Sequence, residues 1–261
     1  MVPRSVHWIA ITTVLCAYAA GQTPEERGLA IAQEADQRDT GWGDFTAEMK
    51  MTLMNKNGDA SARSVRIRVL EQKDDGDKGL TIFDEPKDVQ GTAFLSFSHR
   101  EGDDDQWLYL PALERVKRIA SSNQSGPFMG SEFAYEDMTS QEVPKFAYKY
   151  LRDEAVGGQP CFVIERYPKH PKSGYTRQIA WIDHEHYRFQ KIEYYDRKNE
   201  LLKTYRASEW EQFLGKYWRS KRMTIENVQT GKSTVLEWTN FAFGTGLTDR
   251  DFDQNSLARA R

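Results

Sequence analysis

From residue 45 onward the chain is dominated by an apolar rhythm of period two, the pattern of strands that bury one face. Phe45, Ala47, Met49, Met51 and Leu53 alternate with Thr46, Glu48, Lys50 and Thr52, and Val65, Ile67 and Val69 alternate with Arg66 and Arg68. Asn57-Gly58 between these runs reads as a hairpin turn. Further runs occupy residues 80–83, 94–97, 107–110, 146–151, 161–167, 176–182, 189–195, 201–213, 217–228 and 233–243. Turn residues punctuate them at Gly157-Gly158, 183–186, 196–199, Gly215 and Thr230-Gly231. The spacing predicts about 11 antiparallel strands in a meander, as in sandwiches and barrels. Aromatic side chains (7 Trp, 12 Tyr and 13 Phe) suit such strands better than helical bundles.

Helical signals are few, so the fold class expected is mainly β with a few helices. Thr23, Pro24 and Glu26 form a capping-box start, followed by an apolar stripe of Leu29, Ile31, Ala32 and Ala35 that runs to about Asp39. A second helical stretch is expected in a middle insertion around 130–139, and a third in the tail, where Asp251 follows Thr248 by three residues. No linker or low-complexity tract divides the chain, which predicts one domain over 22–261.

Residues 1–21 read as a secretory signal peptide. Arg4 precedes an apolar run of about 13 residues, too short for a bilayer span, and small residues follow at Ala17, Ala19, Ala20 and Gly21. Its removal takes one positive charge and no acid, moving the net charge from −3 to −4. That balance offers no broad positive field for nucleic acid. Cys16 leaves with the signal, so Cys161 is the one cysteine of the mature chain and an internal disulfide is excluded. Nothing in the later sequence is long and apolar enough to cross a membrane as a helix.

Known catalytic and metal patterns find little support. No Gly-x-Ser-x-Gly elbow occurs; Ser131, after Gly130, reads as the cap of a short helix. His184 and His186 flank Glu185 in a turn with no third ligand nearby. Cys161, within Cys-Phe-Val-Ile, reads as a small buried hydrophobe. The basic runs at 115–118 and 219–222 read as solvated sheet faces. The expectation is a protein without enzymatic activity, metal or cofactor.

The segment 105–119, with Trp107, Tyr109 and Pro111 at its centre, and the stretch Phe128-Met129-Gly130-Ser131-Glu132-Phe133-Ala134-Tyr135 resemble the outer membrane lipoprotein-sorting protein family, a LolA-like group of periplasmic carriers. The resemblance extends over nearly the whole mature chain. It implies an incomplete (open) antiparallel β-barrel with helices plugging its mouth, and a cavity for acyl chains between sheet and helices. It further implies a monomeric periplasmic shuttle for a lipoprotein or lipid. Its partner would be an inner-membrane export permease of the resistance-nodulation-division type. On this reading Met49, Met51, Trp107, Tyr109, Phe128, Met129, Phe133 and Tyr135 are the candidates for cavity lining or lid, with residues 126–139 as the lid. An envelope sensor that uses the same open barrel to bind a lipid or a partner protein is the alternative.

Overall fold

The computed structural model describes residues 21–259. The expected signal peptide, apart from Gly21, therefore lies outside the described residues. One α-helix, α1 (Pro24–Arg38), precedes thirteen strands: β1 (Asp44–Met54), β2 (Ala60–Leu70), β3 (Lys78–Glu85), β4 (Ala93–Phe97), β5 (Asp105–Leu110), β6 (Arg115–Arg118), β7 (Phe146–Val156), β8 (Gln159–Pro168), β9 (Arg177–Asp183), β10 (Phe189–Tyr195), β11 (Leu201–Phe213), β12 (Tyr217–Asn227) and β13 (Ser233–Phe243). All belong to a single antiparallel sheet in the order β6-β5-β4-β3-β2-β1-β13-β12-β11-β10-β9-β8-β7. Pairing of β1 with β13, from Phe45–Phe243 to Met54–Ser233, joins an N-terminal wing to a C-terminal one. The sheet does not close: β6 and β7 are its two edges.

The strand count of about 11 is too low, and the shortfall has a physical source. Arg115–Arg118 is an edge strand with no inward-facing apolar pair, so it lacks the alternation that identifies the others. The helical expectation also needs correction. Among the described residues only α1 is an α-helix; the middle insertion and the tail are loops carrying short 3-10 turns, at Phe128–Gly130, Tyr135–Asp137 and Gln254–Arg259 among others. Ser131 caps no helix. Its hydroxyl accepts from the Phe133 amide at 3.2 Å in a local turn.

Helix α1 begins as its sequence dictates: the Glu26 amide donates to Thr23 Oγ1 at 3.1 Å and the Thr23 amide to Glu26 Oε2 at 2.9 Å. Gly28, Ile31, Ala32 and Ala35 form its buried face, while Leu29 turns to solvent. The small residues let the helix lie against the β7 backbone. A Cβ on Gly28 would stand 2.7 Å from the Tyr150 nitrogen and 2.8 Å from the Lys149 carbonyl carbon.

Strand alternation divides the core between the two faces of the sheet. On the concave face, Phe45, Ala47, Met49, Met51, Val65, Ile67, Phe83, Phe94 and Leu108 form one cluster across β1–β5, extended by Ile225 and Leu236. A second concave cluster joins α1 to β7–β10 through Ile31, Ala32, Phe146, Tyr148, Ile164, Ala180, Ile182, Ile192 and Tyr194. On the convex face, Leu80, Ile82, Ala93 and Leu95 are covered by Phe252 and Leu257 of the tail.

Gly28→Val is expected to push α1 off β7 and lower stability by about 1–3 kcal/mol, the cost of overpacking a close contact. Urea unfolding should show a lower midpoint with an unchanged slope.

Candidate functional site

Strand β6 ends at Arg118 and β7 begins at Phe146, yet these strands lie at opposite edges of the sheet. Residues 119–145 must therefore run from one edge to the other, and they do so over the concave face. Phe128 and Phe133 enter the β1–β5 cluster, with Met129, Tyr135 and Met138 packed against it. Phe128 is fully buried, its ring 5.1 Å from Phe94, 5.4 Å from Tyr135 and 6.0 Å from Phe83.

Polar contacts fix this insertion as firmly as its rings do. Asp137 accepts from Lys203 Nζ at 2.7 Å, from the Ala134 amide at 2.7 Å and from the Tyr175 hydroxyl at 2.9 Å. Lys203 is 3% exposed and also donates to the Glu132 carbonyl at 2.7 Å. Glu132 in turn accepts from Asn227 Nδ2 at 2.7 Å, and its amide donates to Thr234 Oγ1 at 3.0 Å. From β5, Gln106 Nε2 donates to the Tyr135 carbonyl at 2.9 Å, and from β2 Arg63 donates to the Met129 carbonyl at 2.6 Å. Glu136 receives Ser173 Oγ at 2.7 Å and the Gly174 amide at 2.8 Å. Burial pushes its carboxyl above the usual carboxylate range.

Between α1, the 140–143 end of the insertion and the concave side of β7, β8, β11 and β12 lies a cavity of about 740 Å³. Its walls mix aromatic and aliphatic groups, such as Trp42, Tyr148, Phe189, Tyr205 and Met223, with arginines and carboxylates. Several of its charges are paired: Arg219 with Asp39 at 2.5 Å, Arg188 with Asp183 at 2.8 Å and Arg38 with Glu34 at 2.8 Å. Two of the lining carboxyls are pushed furthest. Burial pushes Asp77 up to about 6, although Ser140 Oγ donates to it at 3.0 Å. Burial and the charges of Asp77 and Asp36 push Glu142 up to about 7. A second hollow, of about 480 Å³, opens between residues 100–104, 136–146 and 168–178.

Six of the eight sequence candidates come together in one cluster: Met49, Met51, Phe128 and Phe133 inside it, Met129 and Tyr135 against it. Trp107 and Tyr109 lie on the other side of β5, with Phe97, Val116 and the tail. The insertion fills the hollow over β1–β5 with its own side chains, and the open volume lies beside it, towards α1. The polar ladder of the concave face went unnoticed in sequence. Tyr148, Arg166, Gln178, Tyr194 and Lys203 are successive cross-strand neighbours on β7 to β11. The available signal was register: Arg166 is two and four residues beyond Ile164 and Phe162, so it shares their inward face.

Cys161 is fully buried and its thiol is pushed up to about 11 by burial, which leaves it unreactive at neutral pH. His184 lies 3.1 Å from Asp153, and the His186 ring packs on Trp218. Among the described residues no three His, Cys, Asp or Glu side chains are grouped to hold a metal.

Solved structures share this fold. A domain named for outer membrane lipoprotein sorting, from Vibrio parahaemolyticus, is 55% identical, with a TM-score of 0.89 over 90% of this chain and 100% of that one. A DUF1329 family protein from Desulfovibrio piger is 33% identical, with a TM-score of 0.86 over 90% and 100% of the two chains. A LolA superfamily protein from Nitrosomonas europaea, 20% identical with a TM-score of 0.69 over 87% and 98%, shares the fold. A family model described as an uncharacterized protein matches residues 75–259. No curated protein matches.

Two outcomes are expected. Asp137→Asn leaves the Lys203 ammonium buried beside a neutral group and should cost about 3–5 kcal/mol; native-state hydrogen exchange should quicken across 126–139 before it does in the strands. The second concerns pH. Between about pH 4 and about 7 the folded chain keeps protons on Asp77 and Glu142 that the unfolded chain has released, so these groups make the protein less stable as pH rises through that window. Below it their cost is absent. Denaturant titrations at pH 4.5 and 7.5 should show a smaller loss in Asp77→Asn and Glu142→Gln than in the wild type.

Proposed function

The chain belongs to the outer membrane lipoprotein-sorting protein family, and from that membership we propose that it is a non-enzymatic periplasmic carrier that shelters the acyl chains of a lipid or lipoprotein on its way to the outer membrane. The observation that carries this reading is the cavity of about 740 Å³ between α1 and the insertion. Its size suits an amphiphile, since small-molecule sites commonly span about 300–1,000 Å³. Its lining offers aromatic and aliphatic walls for a chain and polar groups for a head.

In this proposal a signal peptide over 1–21 exports the chain and 22–261 is the single carrier domain. The carrier acts as a monomer and is loaded from an inner-membrane permease of the resistance-nodulation-division type. The driving force is ordinary: each methylene moved out of water is worth about 0.8 kcal/mol, so ten supply roughly 8 kcal/mol before ordering costs. That holds a chain across the aqueous gap and still permits release. Residues 126–139 act as the movable cover. Phe128, Met129, Phe133 and Tyr135 occupy apolar space over Met49 and Met51 that a longer acyl chain takes when the cover swings out.

Protein purified without detergent should yield, by mass spectrometry of an organic extract, an acyl species in stoichiometric amount, and a fluorescent fatty acid should be displaced by it. Repeatedly empty preparations that also fail to bind the probe would sink the carrier. For the cover, lipid should slow hydrogen exchange in 126–139; a rate equal to that of the strands and indifferent to lipid removes that part of the proposal.

A further inference from the structure

We propose that Arg166 is the receptor for an anionic head group, so that the cargo is an amphiphile ending in a singly charged oxyanion, a carboxylate or a phosphate diester. This rests on the carrier reading and narrows it. A lipid-modified protein terminus places a neutral glyceryl linkage, not an oxyanion, at the head of its chains, so the inference selects among the cargoes that a lipoprotein-sorting fold could take.

Arg166 projects from β8 to the concave face and lines the larger cavity. It is 3% exposed, and its Nε is enclosed with no hydrogen-bond partner. Its guanidinium carbon lies 4.8 Å from the Phe146 ring centre and 5.4 Å from that of Phe189. Ring faces favour a cation only modestly and supply no acceptor in the plane of the fork. Removing a guanidinium from water without an anion costs several kcal/mol, which is why buried arginines are normally paired.

The other arginines around the cavity obey that rule. Arg38, Arg188 and Arg219 each hold a carboxylate, and Arg100 is exposed to water. Among the described residues Arg166 holds none. Of the lining carboxylates, Asp39 is engaged with Arg219, Asp75 with His99 at 2.6 Å, and Glu71 with the amides of Gly41 and Gly43 at 2.6 and 2.7 Å; Asp36 and Glu142 also line the cavity and act through their charges on Tyr148, but neither bonds the Arg166 guanidinium. Asp77 is held by Ser140, and Tyr148, the cross-strand neighbour of Arg166, gives its hydroxyl proton to the Val143 carbonyl at 3.2 Å. Opposite on β9, Gln178 is 2% exposed and its Oε1 also lacks a partner. The chain has thus buried an arginine fork beside open volume, with no carboxylate bonded to it among the described residues. A planar fork matches a carboxylate or phosphate in bidentate fashion. The flanking Phe146 and Phe189 rings would pack on the first methylenes behind the head.

The test compares four probes on the full mature chain, delipidated and free of detergent: a fluorescent long-chain fatty acid, its methyl ester, a lysophosphatidylglycerol and its uncharged monoacylglycerol counterpart. Arg166→Met removes the charge at similar volume, Arg166→Lys keeps the charge without the fork, and Arg115→Met serves as the control for loss of a distant exposed cation. The expected result is a 10- to 100-fold loss of affinity for one or both anionic probes in Arg166→Met, a lesser loss in Arg166→Lys, and unchanged affinity for the neutral probes. Whichever anion the wild type binds more tightly identifies the head group. Arg166→Met without ligand should melt at or above the wild-type temperature, because an unpaired buried charge has gone; this reads the same arrangement independently of any ligand. Neutral probes that bind while the anions ignore Arg166 overturn this inference and leave the carrier standing. An equal loss of anionic and neutral probes in a variant that melts lower than the wild type also overturns it, assigning Arg166 to packing. Failure of all four probes to bind the wild type overturns both readings.

Discussion

A sheet of thirteen strands that stops short of closing has a concave face too wide for one helix to cover, and that shortfall organises the rest of the molecule. Helix α1 reaches the inner side of β7–β10 and no farther, because Gly28 and the alanines bring it hard against the β7 backbone. The remaining apolar rows of β1–β5, which include Met49, Met51, Phe83 and Phe94, need a second cover. Topology supplies it. The segment joining β6 to β7 has to pass between opposite edges, so 119–145 crosses the same face that lacks protection. Backbone groups in such a crossing segment cannot be paired by a sheet ladder. They are answered by inward side chains of the strands, Gln106, Arg63, Lys203 and Thr234, and the Asp137–Lys203 pair is the most buried of these anchors.

Two covers of independent origin do not meet edge to edge, and the cavity is the space left where they part. Its mixed character follows from what borders it. The strands contribute inward aromatic and aliphatic groups, whereas the helix end and the loops at 71–77, 140–143 and 186–189 contribute charges normally turned to water. Carboxyls caught between these regimes, Asp77 and Glu142, are pushed up first by burial and then by the charges of neighbouring carboxylates, Glu71 and Asp39 for Asp77 and Asp77 and Asp36 for Glu142. Arg166 is the extreme case. It sits in the strand-lined part, where a charge costs most.

How much of this the sequence announced depended on whether a residue's role was local. The alternation from Phe45 to Leu53 and from Val65 to Val69, the Asn57-Gly58 hairpin and the Thr23–Glu26 box each depend on neighbours a few residues away, and each formed as expected. Strand β6 escaped notice because an edge needs no inward apolar row. The insertion reads as helical because Ser131 after Gly130 imitates a cap, whereas its hydroxyl is taken up by the Phe133 amide in a local turn, and the acids at 136 and 137 are held by Gly174 and Lys203 from distant parts of the chain. Trp107 and Tyr109 carry a resemblance motif, yet their parity on β5 sends them to the convex side under the tail. Arg166 was legible through parity alone, since Phe162 and Ile164 already fixed which face it shares; the missing partner was not, because sequence cannot exclude a carboxylate brought from elsewhere.

The irregularity of the insertion bears on handover. A helical plug would resist displacement as a cooperative unit, since its backbone is satisfied internally and it moves whole or not at all. Here the cover is a series of 3-10 turns whose attachments are separate: rings against β1–β5, one buried ion pair, and hydrogen bonds from Gln106, Arg63 and Asn227. Such a segment can release its aromatic end at Phe128 and Met129 while Asp137 stays bound to Lys203, giving a partial opening with a cost set by a few contacts. A ligand shifts the equilibrium between covered and uncovered states only by its differential affinity for them. On the carrier proposal, an acyl chain that replaced Phe128 against Phe83 and Phe94 would exchange one apolar contact for another, which would keep the free-energy difference between the two states small. A cover so balanced would let the proposed carrier take up a chain near one membrane and give it up near another without an external source of energy.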